Sequence, residues 1–476
     1  MSPRDVTGYS TEPTDVARVE TKHRRIVSSK LPVPESMPEL ERLWSLEARS
    51  LAPWQFPVLW QRAKGYQVFD PFGNVWLDAS AGIAVANAGH APDEVICAIV
   101  EQANSELLYN FTFPSRARLR FLEKLVEFAS DVAPHLEKAF LMSAGSEACE
   151  NVLKLARRYQ HVTHGPHKNV VVTFEGAFHG RTLGAQMMGG LPELKDWIVH
   201  HDPDLVQVPF PDGFYNEETS FEGFVRALDR LGVEPARVAA VFVEPAQGAN
   251  VHLMPVEYAR KLREWCDDHE VLLCFDEVQT GFGRMGHKFG HLHYGVEADL
   301  ISLGKGISGS LPLSATLGRA EIMDVFPPGH MTSTHTGNAI CCAAGTATLE
   351  IYEREGLVER AAELGAKVLQ PGLRRVAERH EAIGVATGVG LFAGIQVVEG
   401  GEAGAKVPDK QGAYEVNQRL CQKGVMMFAP VGKACCKFAP PLVIPEDALV
   451  ELVEVVDEAV EELEAEGRIG PAAARS

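Results

Sequence analysis

Residues 271–277 read VLLCFDE, an unbroken apolar run that ends on two acids. A short run without polar alternation fits a strand buried on both faces. The pattern recurs on either side, as VVVTF at 170–174, VAAVFVEP at 238–245 and DLISLG at 299–304, with helical periodicity between the runs. Buried strands alternating with helices specify an α/β domain: a mostly parallel sheet covered by helices on both faces. Ligands of such sheets collect beyond the carboxyl ends of the strands. The large domain is expected over residues 96–345.

The last third has a different character. Leu357, Ala361, Leu364, Val368 and Leu369 recur at helical spacing, as do Leu449, Leu452, Val456, Val460 and Leu463 after Pro445-Glu446-Asp447. These helices bracket GVGLFAGIQVV (388–398) and KFAPPLVI (437–444). A smaller α/β domain is therefore expected over 346–476. Residues 51–95 are read as its N-terminal part, because YQVFDPFGNVWLDASAGIAV (66–85) breaks at Pro71 to Asn74 like a hairpin. Residues 1–50 read as an arm with one short helix from Met37 to Ala48, and residues 467–476 as a frayed tail.

Composition narrows the function class. At 476 residues the chain needs more than one core, and 46% apolar with 23% charged residues is ordinary globular usage. A formal net charge of -19 argues against nucleic acid or an anionic membrane as partner. The N-terminus has no apolar signal core, and no run approaches the length of a membrane span. A cytoplasmic location follows, and the nine cysteines, which include no CxxC, are read as reduced and buried.

Four short stretches carry chemistry. Ser143-Ala144-Gly145-Ser146-Glu147 precedes a helical pattern, so free amides and the positive helix end can hold a phosphate; a plain capped helix explains it as well. Asp276 ends an apolar run, where a carboxylate can keep a pyridine nitrogen protonated, with Val278 against the ring face and Gln279 near a ring hydroxyl. The rival reading, an acid holding magnesium in a nucleotide hydrolase, requires GxxxxGK[ST], which is missing. Lys305 follows another run between Gly304 and Gly306, small neighbours that let a ring approach; alone, it reads equally as a solvated charge. In Gly176-Ala177-Phe178-His179-Gly180-Arg181, Phe178 can stack on a flat ring and Arg181 can clamp a carboxylate, or the pair is a core residue beside a surface one.

Taken in order, AGSEACENVLKLAR, FHGRT, VEPAQG, FDEVQTGFGR, GKGISG and THTGN resemble the class III aminotransferases of the fold type I pyridoxal-phosphate superfamily. The likeness runs from about residue 50 to 465. It implies pyridoxal 5'-phosphate as cofactor, a phosphate cup from Gly145 and Ser146 completed by Thr334 of a second subunit, and hence a homodimer. It further implies Phe178 on the ring, Asp276 at the ring nitrogen, Gln279 near the ring oxygen and Lys305 as the lysine that holds the cofactor as an imine. Glu244 matches the family's switch glutamate, which pairs with an arginine when that arginine holds no substrate carboxylate. The implied reaction moves an amino group from an amino acid or amine, an ω-amino acid such as 4-aminobutyrate included, to a 2-oxo acid. The alternative is a racemase or epimerase on the same cofactor. A non-catalytic relative would be expected to lack Lys305 or Asp276, and both are present.

Two positions depart from the family pattern. Lys437 stands before Ala439-Pro440-Pro441-Leu442 where the family has its carboxylate-binding arginine, and Ala339 replaces a proline after Gly337-Asn338. Lysine lacks the bidentate fork, so recognition of a substrate carboxylate there is expected to differ. Two histidine trios, His161/His164/His167 and His287/His291/His293, raise zinc binding; with no cysteine or acid to complete either set, solvated histidines in a surface loop are the reading for the first.

Overall fold

The computed structural model describes residues 8–51 and 54–471, so the first seven residues of the arm and the last five of the tail lie outside it. The chain forms two compact units, one of residues 92–361 and the other of residues up to 91 together with those from 362 onward.

The first unit is built on seven strands: β1 (Lys138–Met142), β2 (Val170–Phe174), β3 (Leu205–Val208), β4 (Val238–Val243), β5 (Leu272–Asp276), β6 (Leu300–Leu303) and β7 (Ser314–Gly318). Their order across the sheet is β3-β2-β4-β5-β6-β7-β1. β7 is antiparallel to both its neighbours, and the remaining pairs are parallel. The quoted apolar runs are β2, β4, β5 and β6, and each is buried along its whole length. Burial on both faces explains the absence of alternation. Helix α1 (Gly145–His164) lies over the sheet, with Cys149, Val152, Leu155 and Ala156 packed in one core cluster with Val171, Ala240, Phe242, Cys274 and Leu300. The helix Ala339–Arg354 runs unbroken across residue 345.

In the second unit the stretch 388–398 is not one strand. It turns at Gly390 and Leu391, so Ile383–Val389 and Phe392–Gly400 form an antiparallel hairpin, with Cys435–Phe438 on the other edge of Phe392–Gly400. The expected hairpin is present: Gln67–Phe69 pairs antiparallel with Val75–Asp78 across the turn at Asp70–Asn74, which the Asp70 carboxylate closes by accepting from the amides of Phe72 and Asn74. The arm packs on its own unit. Tyr9 is buried edge-on to Tyr414 at 5.0 Å, and Arg24 and Lys22 pair with Glu451 and Asp447 of the helix Glu446–Ala465. Among the described residues no helix is long and apolar enough to cross a membrane.

All nine cysteines are free; Cys97 is exposed and Cys341 half-buried, so burial does not extend to every thiol. The first histidine trio is not all in a loop, because α1 continues to His164 and places His161 and His164 in its last turn. The imidazoles there face the negative end of the helix dipole, which favours basic groups.

Candidate active site

The strand ends of the first unit converge on one cavity of about 170 Å³, lined by Gly145, Ser146, Phe178, His179, Gly180, Glu244, Asp276, Val278, Gln279 and Lys305. The topology explains the convergence. Ser146 follows β1, Phe178 follows β2, Glu244 follows β4, Asp276 ends β5 and Lys305 follows β6, all at carboxyl ends of parallel strands.

At the start of α1 no serine caps the helix. Ala144 is the N-cap residue, and the Glu147 carboxylate accepts from the amides of Ser143 and Ala144 at 2.9 Å each. Gly145 and Ser146 thus open the helix with first-turn amides that have no acceptor within it. Their surroundings admit no larger residue: a Cβ on Gly145 would lie 2.8 Å from Val278 Cγ1, and one on Gly180 would lie 2.2 Å from Ser146 Oγ.

Asp276 is held by four donors. Oδ1 accepts from the Val278 amide and from Ser302 Oγ, each at 3.0 Å, and Oδ2 accepts from His179 Nδ1 at 2.8 Å and Cys149 Sγ at 3.3 Å. Burial pushes this carboxyl upward, but the hydrogen bond and field of His179, the Val278 amide and the Cys149 thiol outweigh it and hold the group below its usual range. Burial, with the field of Asp276, pushes the Cys149 thiol far up, so it stays protonated. Cys149, His179 and Asp276 are close enough for a shared cation, with donor atoms within 4.8 Å of one another. A metal would need the thiolate and would displace the donors already on Asp276, so the trio reads as support for the carboxylate.

Lys305 is half-buried and adopts a left-handed backbone, φ 45°. Burial lowers its ammonium to about 8, against the fields of Asp276, Glu244 and Cys149, which raise it. A lysine near neutrality at working pH is suited to nucleophilic and acid–base work. Glu244 is more deeply buried; burial raises it to about 7, although Gly248 N at 2.7 Å and Phe178 N at 3.0 Å donate to its two oxygens.

The cavity thus brings together Gly145, Ser146, Phe178, Glu244, Asp276, Val278, Gln279 and Lys305. Thr334 and Arg181 are exposed and do not line it; the Arg181 guanidinium lies 5.3 Å over the Phe178 ring, and its amide donates to Ser146 Oγ at 3.0 Å. Lys437 belongs to the other unit, buried in the strand Cys435–Phe438 with Nζ 5.7 Å from the Phe428 ring and 5.9 Å from that of Phe392. In the second histidine trio, His291 turns to Glu277, Nδ1 to Oε1 at 2.8 Å, which pins the loop beyond Asp276. The sequence reading gave no role to His179, Cys149 or Ser302. His179 stood between two residues that were singled out, and its place beside Phe178 was the available signal.

Residues 50–460 match the model of the aminotransferase class-III family. The chain belongs to that family. An acetylornithine aminotransferase of Caldanaerobacter subterraneus is 31% identical, covering 86% of this chain and 96% of its own. A leucine/methionine racemase of Thermococcus litoralis is 33% identical over 87% of this chain and 93% of its own. A Bacillus anthracis aminotransferase of known structure superposes with a TM-score of 0.82 at 26% identity, covering 91% of this chain and all of its own, 100%. The class III aminotransferase described here therefore has the type I fold of pyridoxal-phosphate enzymes, uses pyridoxal 5'-phosphate, and transfers an amino group between an amino donor and a 2-oxo acid. Its cavity has parts that suit that cofactor: helix-start amides with no acceptor inside the helix, an anionic buried carboxylate and a half-buried lysine within one space.

Proposed function

We propose that Lys305 is the lysine that carries the cofactor and moves the proton, with Asp276 opposite the ring nitrogen, Gly145 and Ser146 on the phosphate, Phe178 and Val278 against the two ring faces and Gln279 beside the ring oxygen. The observation that supports this most is a lysine lowered to about 8 in the same cavity as a carboxylate held below its usual range. The bound cofactor supplies an electron sink that acidifies the C–H beside the substrate nitrogen. Asp276 keeps that sink charged. With the cofactor bound, Lys305 would be the group placed to accept that proton and return it at a second carbon. Arg181 and Lys437 are proposed to face substrate carboxylates, Glu244 to act as the switch that pairs with an arginine when that arginine holds no substrate carboxylate, and Thr334 to complete the phosphate cup across a homodimer. The cytoplasm is the proposed location, which the free thiols suit.

Return of the proton to the carbon it left would give racemisation, a reading favoured by the racemase relative. A panel of amino acids, ω-amino acids and diamines, mixed with the purified enzyme, distinguishes the two. Transfer bleaches the cofactor's visible band until 2-oxoglutarate or pyruvate restores it; racemisation leaves the band and scrambles the chirality of the amino acid. Lys305→Ala is expected to lose the lysine-linked absorbance and all measurable turnover, and normal activity in that variant would overturn the assignment.

A further inference from the structure

Asp276 receives more donors than aiming a carboxylate requires, and two of them come from different elements. Ser302 lies inside β6, paired with Asp276 in the sheet register. Cys149 lies in the first turns of α1, three residues after Ser146, so the side chains of Ser146 and Cys149 share one helix face. Cys149 Sγ also lies 3.5 Å from Ser302 Oγ. All three side chains are buried, Ser302 at 0%, Cys149 at 1% and Asp276 at 4% exposure. A hydroxyl is an ordinary donor and a thiol a weak one. Together they fix the direction of the carboxylate and draw off part of its charge, the hydroxyl more than the thiol.

We propose that Cys149 and Ser302 are positioning residues for the reaction, acting through Asp276: they hold its carboxylate in one orientation and set how much negative charge it presents to the cofactor ring. This rests on the proposed place of Asp276 at the ring nitrogen. Removal of either donor leaves a more basic Asp276, which stabilises positive charge on the cofactor and raises the pH at which the lysine-bound cofactor loses its proton. Ser302→Ala has the larger effect, because the hydroxyl is the stronger donor.

The test is a pH titration of the visible band of the cofactor-loaded enzyme for wild type, Cys149→Ala, Cys149→Val, Ser302→Ala and Asp276→Ala. Upward movement of about half a pH unit is expected for both Cys149 variants and more for Ser302→Ala, with KM for the amino donor unchanged. Cys149→Val fills the thiol's volume without a donor, so agreement between it and Cys149→Ala separates charge from packing. Titrations that coincide with wild type, or that move downward, overturn the proposal. Should Asp276→Ala also leave the titration unmoved, the placement of Asp276 fails; should Asp276→Ala move it while the Cys149 and Ser302 variants do not, only the positioning roles fail.

Discussion

His179 Nδ1 stands 2.8 Å from Asp276 Oδ2, while the ring's other nitrogen, Nε2, is buried with no hydrogen-bond partner among the described residues. With Asp276 anionic, Nδ1 carries the proton. The imidazole is further fixed by stacking on Phe242, with centroids 4.5 Å apart. One polar contact and one stacked face thus define the ring.

That arrangement predicts the effect of His179→Phe, which keeps an aromatic ring on Phe242 and removes the donor. A hydrogen bond to a charged group is worth about 1.5–3 kcal/mol, so kcat is expected to fall roughly tenfold to a hundredfold. The Asp276 carboxyl should rise toward its usual range, and the acid limb of the pH–rate profile should move up with it. Steady-state kinetics across pH checks both. An unchanged profile would remove His179 from the support of Asp276.

Glu244 gives a prediction for stability. Its carboxyl is raised to about 7, above the 4.5 of an ordinary glutamate, so between those values the folded state binds more protons than the unfolded state. Stability from this group is fully present below pH 4.5 and is lost as pH rises through about 7. Glu244→Gln removes the titration while keeping the side chain's length. Denaturant unfolding of the cofactor-free protein from pH 4.5 to 7 should therefore have a flatter pH dependence in the variant, and parallel curves would contradict the buried-acid reading.

Much of this was legible beforehand. The four apolar runs became strands because burial on both faces leaves no polar alternation, a signal that does not depend on partners far along the chain. Asp276 and Lys305 were visible because each ends or follows such a run. The hairpin within 388–398 was not resolved, since its turn at Gly390-Leu391 lies inside an apolar stretch with no polar break. Cys149 and Ser302 were invisible for another reason. They are 153 positions apart and meet only where α1 crosses β6.

Gly180 is expected to be intolerant of a side chain. Its φ is +128°, and a Cβ would meet Ser146 Oγ at 2.2 Å and Ser146 Cα at 2.8 Å. Gly180→Ala must therefore displace the start of α1, where the phosphate is proposed to sit. Overpacking of this kind costs about 1–3 kcal/mol, which thermal unfolding of the cofactor-free protein should register. Retention of pyridoxal phosphate through dialysis should also fall. Wild-type stability and retention together would mean that the Phe178–Arg181 turn is free to move away from Ser146.

Lys437 tests how the enzyme reads its substrate. The side chain is buried in the strand Cys435–Phe438, with its ammonium near the rings of Phe428 and Phe392, an aromatic setting that accommodates a compact cation. An ammonium offers a carboxylate a point charge, whereas a guanidinium offers two parallel donors. Lys437→Arg is therefore expected to lower KM for α-amino acid donors roughly tenfold, the equivalent of about 1.4 kcal/mol, while leaving kcat within a small factor. Amines without a carboxylate should gain nothing, because the added donor has no acceptor to meet. Kinetics on paired donors that differ only in the carboxylate, such as an amino acid and its decarboxylated amine, make the comparison direct. An equal change for both members of a pair would place Lys437 outside carboxylate recognition and leave packing against the two rings as its role.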